Sequence, residues 1–313
     1  MINLKWPVLI IFTAWITACS SAPPEKPPEL ASEADTLIGN GVAEYNQANY
    51  AKANLLFEQA MYLYRSIDDP RGTASAYINL AKTALSQNQI SDTEHWLQRA
   101  QQIVDREQLN TLQNHITITR SSVAIERKDF ATAKLLLTSL LNESASTTDR
   151  DTRLAATQNR TRIAFAENND AATWTERFVN LASSSPAALA RAARFRAALS
   201  TDSAEQDNQY QLALNTYRKL AWRPGLAATL SEWAEHNIRM QNYSGAEDKL
   251  RRALLIRLDL HDKHDTVQVL KQLETVYRKL GQATKQQRAA YWQTRIVDES
   301  FADWSSVLKD FET

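Results

Sequence analysis

Two places in the chain carry side chains whose type and spacing suit chemistry. One is Cys19, the single cysteine among 313 residues. The other is His261-Asp262-Lys263-His264-Asp265, two imidazoles at i and i+3 with a carboxylate between them and another beside them. A thiolate is a nucleophile and a metal ligand, and closely spaced His and Asp suit zinc. No third ligand stands at a recognisable spacing from His261 and His264, so the run reads as a polar junction between helices. His95, His115 and His236 are single and scattered, and are expected on solvated helix faces. No Gly-x-Ser-x-Gly turn, His-Glu-x-x-His pair or Gly-rich phosphate loop occurs. Paired acids such as Asp68-Asp69 fall in another junction. The expectation is therefore a non-enzymatic protein with no catalytic residue, metal or cofactor.

Composition narrows the elements that hold these residues. The six glycines are about 2% of the chain, against a usual ~7%. That scarcity disfavours doubly wound sheets, sandwiches and barrels, which lean on Gly turns. Thirty-six basic and 36 acidic side chains cancel, so the basic surface that nucleic-acid binding needs is missing. Pro23, Pro24, Pro27 and Pro28 crowd residues 20–33, a segment that favours extended polyproline II and reads as a spacer of ~40 Å. Beyond residue 33 only Pro70, Pro186 and Pro224 remain, and each is expected at a helix junction.

The N-terminus has one positive charge, Lys5, and an apolar stretch from Trp6 to Ala18, too short for a ~20-residue membrane span. It ends Ile16-Thr17-Ala18-Cys19, which resembles the lipobox of bacterial lipoproteins. The resemblance implies that residues 1–18 are a signal peptide, that Cys19 is acylated, and that cleavage leaves it as residue one. No thiol then remains for a disulfide or a metal. Ser20, rather than Asp, resembles the outer-membrane sorting signal. The implied place is the periplasmic face of the outer membrane, anchored by lipid, with residues 19–33 as spacer.

From residue 34 onward the apolar pattern is helical and repetitive. Gly72 and Gly225 open similar segments, and the likeness persists at the same offset of 153 to Ala100 and Ala253. Each unit has a helix A with a large residue and a large–small pair, then a helix B with small, large and small residues. Tyr77, Leu80, Ala81, Thr93, Leu97 and Ala100 show the pattern; Leu230, Trp233, Ala234, Ala246, Leu250 and Ala253 repeat it. Units one, three and seven follow it at Ala53/Phe57/Ala60, Ala133/Leu137/Leu140 and Leu270/Leu273/Tyr277. Units four (Phe165, Trp174, Phe178) and five (Ala190, Ala197, Tyr210, Ala213) are degenerate. Ser91…Glu94, Ser203…Gln206, Ser244…Glu247 and Thr284…Gln287 read as capping boxes at helix-B starts.

This array resembles the tetratricopeptide repeat, in a variety of about 40 residues per unit over residues 34–298. The resemblance implies an all-α, right-handed superhelical solenoid of antiparallel helix pairs, with helix A on the concave face. It is similar to the superhelical arrays of adaptors that hold extended peptides. Residues 299–313, with Phe301, Trp304, Val307, Leu308 and Phe311 at helical spacing, are expected to cap unit seven.

Helix A places Ile78, Lys82 and Leu85 inward in unit two, and Arg191, Phe195 and Ala198 in unit five. Unit six gives Ser231, Glu235, Ile238 and Arg239, and unit seven Lys271, Thr275 and Arg278. The candidate partner-binding residues are Lys82, Arg191, Phe195, Glu235, Arg239, Lys271 and Arg278. Their mix of basic and apolar types suits an extended peptide with acidic groups. Residues 150–200 hold eight Arg and four acids, a candidate docking patch. The expected function is an adaptor that binds envelope proteins, in secretion, outer-membrane assembly or peptidoglycan-enzyme scaffolding. The rival is a periplasmic small-molecule or glycan binding protein that uses Trp174, Trp222, Trp233 and groove Arg.

Overall fold

A computed structural model describes residues 29–142, 149–183, 185–298 and 300–312. Cys19, the signal and most of the spacer lie outside them. Among the described residues there are helices and no strands: an all-α solenoid of seven helix pairs and a final short helix. The pairs are α1 (Glu29–Asn46) with α2 (Tyr50–Ser66), α3 (Pro70–Ser86) with α4 (Ile90–Glu107), and α5 (Asn110–Glu126) with α6 (Phe130–Thr138). Then come α7 (Arg150–Glu167) with α8 (Ala171–Ala182), α9 (Pro186–Leu199) with α10 (Ser203–Lys219), α11 (Arg223–Arg239) with α12 (Tyr243–Asp259), and α13 (Lys263–Lys279) with α14 (Ala283–Ile296). The last helix is α15 (Trp304–Glu312). Helix α1 starts at Glu29, so residues 29–33 belong to the first pair and not to the spacer.

The turns set the period. Ala48, Asp68, Asn88, Gln108 and Lys128 all adopt left-handed φ near +50 to +60°, 20 residues apart, and Ala221, Gln241, His261 and Gly281 resume the series. Each ends a helix by the Schellman pattern. The Asp68 N–H reaches back to Arg65 O at 3.3 Å and the Asp69 N–H to Tyr64 O at 2.9 Å; Gln241 and Asn242 do the same to Ile238 O and Asn237 O. The second of these residues also caps the next helix. Asp69, Asp129, Asn242 and Asp262 each accept an N–H from three residues on. A helix of about 17 residues plus a three-residue turn gives 20, and a pair gives 40.

The expected capping boxes are not the caps. Ser91, Ser203, Ser244 and Thr284 sit at the first or second helical residue, and Asp202 and Asn242 cap α10 and α12 from just before. At α4, α12 and α14 the residue after the left-handed one takes the cap position, although only Asn242 caps with its side chain, and this displaces the hydroxyls inward. Pro70, Pro186 and Pro224 do open α3, α9 and α11.

The small residues of the template have no exposed surface: Ala53, Thr93, Ala133 and Ala246 let the paired helices close together. Gly72 and Gly225 go further. A methyl group at Gly72 would enter the Tyr64 ring, and one at Gly225 would press on Tyr217 and Trp222. Tyr64 and Tyr217 are themselves 153 residues apart, so the offset read from the glycines is a conserved contact within the chain. In α14 the buried side is Ala289, Trp292 and Ile296. Helix α15 lies across α12 and α14. Val307 and Phe311 are buried there, and Asp310 accepts from Trp292 Nε1 at 2.7 Å.

Two substitutions separate these constraints. Gly72→Ala normally strengthens a helix by ~1 kcal/mol; here it is expected to destabilise by ~1–3 kcal/mol through the clash with Tyr64. Ala221→Gly is expected to stabilise by about 0.5–1 kcal/mol by relieving left-handed strain. Urea unfolding followed by circular dichroism measures both, and opposite signs would contradict these packing arguments.

Candidate functional site

Successive A helices approach one another, α1 to α3, α3 to α5, α5 to α7 and α9 to α11, whereas the B helices splay apart. The A helices therefore line the inner face. A polar ladder runs along them. Arg162 of α7 donates to Glu126 of α5 at 2.7 Å. Arg191 of α9 donates to Gln158 of α7. Arg194 of α9 forms a two-pronged pair with Glu232 of α11, with Nε 2.8 Å from Oε2. Gln272 of α13 donates to Glu235 of α11 at 2.7 Å. Each rung joins residues 33 to 38 apart, close to one unit.

The inner face is crowded, and its titratable groups respond. Burial lowers the Lys82 ammonium and the His115 imidazole, the latter also through the Lys82 charge. Burial opposes the Arg191 charge. It opposes Arg194 too, but the adjacent Glu232 outweighs it and holds that guanidinium above its ordinary value. Burial and the Glu232 charge raise the Glu235 carboxyl, although its side chain still reaches solvent. Tyr45 of α1 donates to or accepts from Ser86 Oγ of α3 at 2.8 Å and feels the charge of Arg191 on α9.

The nominated residues divide. Lys82, Arg239, Lys271 and Arg278 lie on A helices with no hydrogen-bond or ion-pair partner among the described residues. Arg191 and Glu235 are on the inner face as expected, but each is held by a ladder rung. Phe195 is a correction: its ring stacks on Phe165 at 5.6 Å and meets Phe178 edge-on at 5.4 Å, so it belongs to packing. Ile78, expected inward with Lys82, is 2% exposed and packed in the core of units one to three. His236 is likewise buried rather than solvated, where burial lowers its pKa. The Arg-rich stretch splits between faces. Arg162, Arg191 and Arg194 build the ladder, while Arg160 and Arg177 flank the Trp174 ring at 4.6 and 4.9 Å.

Trp174, Trp222 and Trp233 do not converge. Trp222 packs on Tyr217, and Trp233 stacks on Tyr210 with Nε1 bonded to Asp207. The rung partners Glu126, Gln158, Glu232 and Gln272 were missed from sequence. Their signal was present: complementary polar residues one unit apart on helix A.

The superhelix also meets itself. The A–B turns of units one and two sit against the B–A junctions that lead into units six and seven. Arg223 Nη2 donates to Gln47 O at 3.2 Å and Asn49 Oδ1 at 3.3 Å, and Asn88 Nδ2 lies 3.1 Å from His264 Nδ1. A cleft of about 840 Å³ lies along this seam, lined from one side by Tyr50, Lys52 and Gln87 and from the other by Asp259, His261 and His264. The His261–Asp265 run is thus a junction, as its polarity implied. Asp262 caps α13 and, with Asp265, binds the buried Arg257 at 2.8 and 2.6 Å. His261 stacks on Trp304 at 5.2 Å. Among the described residues no cluster of three His, Cys, Asp or Glu is placed to hold a metal, and no helix is long and apolar enough to cross a membrane. No protein-family model and no curated protein sequence matches the chain.

The raised Glu235 carboxyl makes a pH prediction. Its folded state binds the proton more tightly than the unfolded chain, whose pKa is ~4.3. Stability is therefore lost as pH rises through the folded pKa. Glu235→Gln is expected to melt with wild type near pH 4 and above it at pH 7. A variant that melts below wild type at pH 7 contradicts this reading.

Proposed function

We propose that this protein is a lipid-anchored scaffold of the tetratricopeptide type on the periplasmic face of the outer membrane. Its concave face takes extended acidic segments of other envelope proteins. The observation that carries the reading is the row of unpartnered cations, Lys82, Arg239, Lys271 and Arg278, on A helices whose other charges are locked in a ladder. The Arg162–Glu126 and Arg194–Glu232 rungs cancel, Arg191 and Glu235 offset each other, and Lys82, Arg239, Lys271 and Arg278 leave this set of A-helix charges net positive on a framework already formed. A preformed face loses little entropy on binding, and the partial burial of Lys82 strengthens a charge contact there relative to open water. The lipobox-like Ile16-Thr17-Ala18-Cys19 supplies the anchor in this reading. Bacterial lipoproteins of this kind carry several acyl chains, which hold where a single chain would not. The anchor raises the scaffold's local concentration beside envelope partners.

The test places a photo-crosslinking residue at Thr275 and captures partners in intact envelopes. Wild type is compared with Lys82→Glu/Arg239→Glu/Arg278→Glu, with circular dichroism as the folding control. Specific partners with acidic segments are expected, and at least tenfold less capture by the folded triple variant. Equal capture would overturn the concave-face assignment. Separately, Cys19→Ala is expected to move the protein from the membrane fraction to the soluble one; retention in the membrane would overturn the anchor.

A further inference from the structure

We propose that the seam between the two ends of the superhelix is a clasp, so that the protein alternates between a closed and an extended form. This goes beyond the scaffold reading and does not depend on what the interior binds. The hydrogen bonds that close the seam are few, and two of the three lie at the surface. Arg223 reaches Gln47 O and Asn49 Oδ1, and Asn88 meets His264. Hydrogen bonds of this kind exchange readily with water and contribute little each. None of the apolar clusters joins residues of α1–α4 to residues of α11–α14. A cleft of about 840 Å³ lies between the edges, and its lining mixes Lys52, Gln87, Gln89, Asp259 and Lys263 with Ala48, Tyr50 and Leu260. Opening therefore uncovers little apolar surface, chiefly the buried Ala48 and the half-buried Tyr50 and Leu260 of the cleft lining.

The fold also permits the motion. Each pair packs on its sequence neighbours, so a small change at every interface adds up to a large displacement between unit two and unit seven. Closed, the turns of units one and two meet the junctions into units six and seven at the rim of the inner face. Extended, it offers that face from the side. The clasp is a gate on the interior, made by edge residues outside the ladder.

The experiment uses the full chain with Cys19→Ser, carrying spin labels at Lys52→Cys and Asp259→Cys on opposite walls of the cleft. Electron–electron resonance reads the distance distribution without any ligand. Wild type is expected to show a dominant short distance. Arg223→Glu with His264→Ala is expected to raise the long-distance population several-fold and to enlarge the radius of gyration in X-ray scattering, with unchanged helical content. Arg223→Gln serves if the double variant does not fold. A short distance that persists in a folded variant overturns the clasp. Because no partner is present, that failure leaves the scaffold reading to its own test.

Discussion

A three-residue turn that ends one helix and caps the next with adjacent backbone atoms is the constraint on which the architecture rests. The left-handed residue turns the chain back, and the following residue bonds to the carbonyl five positions earlier. Nothing in that geometry leaves room for a loop, so consecutive helices must lie antiparallel and in contact. Only small side chains fit where they touch, which is why Ala53, Thr93, Ala133 and Ala246 recur. The turn is kept at the cost of strain, since among its left-handed residues only Gly281 is a glycine. Where it is abandoned, the array becomes irregular. From Asn168 to Ala221 the spacing is 53 rather than 40, α8 and α9 are short, and the helices start from extended Ser185 and Asp202.

That constraint explains what could be read from the sequence and what could not. Helix pairs, their number and their small residues follow from local spacing, so Gly72/Gly225, Leu97/Leu250 and Ala100/Ala253 announced them. The three prolines gave the junctions because proline acts on its own neighbours. The hydroxyl caps misled because Ser and Thr near a helix start resemble a cap, whereas the cap position fell one or two residues earlier, to Asp202 at α10, Asn242 at α12 and the non-capping Gln89 and Gln282 at α4 and α14. Phe195 misled for another reason. Helical phase puts it near the inward side, but degenerate unit four leaves Phe165 and Phe178 beside it, and burying aromatic surface outweighs phase. The seam had no local signal, since its partners are about 175 residues apart and meet only because curvature accumulates over several units.

Curvature also divides the labour of charge on the inner face. Where A helices converge, side chains one unit apart come within reach, and pairing satisfies groups that crowding would otherwise penalise. Arg194 shows the balance: burial works against its charge, and Glu232 restores it. The pairs bridge successive A helices one unit apart. Removing one partner of such a pair leaves the other desolvated, which makes the ladder a structural element rather than a binding surface.

The unpaired cations have the opposite character. Lys82 keeps its ammonium on the crowded face with no acid beside it, against a burial effect that disfavours the charge. A stable fold has no use for that arrangement, since a neutral side chain of similar length would suit the same position better. The same logic applies to the edges. Apolar edges would fuse the turns of the superhelix into one core and hide the interior permanently. Polar edges that touch through Arg223, Asn49, Asn88 and His264 let the turns meet without merging. Unneutralised positive charge inside and weak polar contact at the rim are both unfavourable for a protein that only has to be compact. They become favourable together if the interior receives something negative that must first get in.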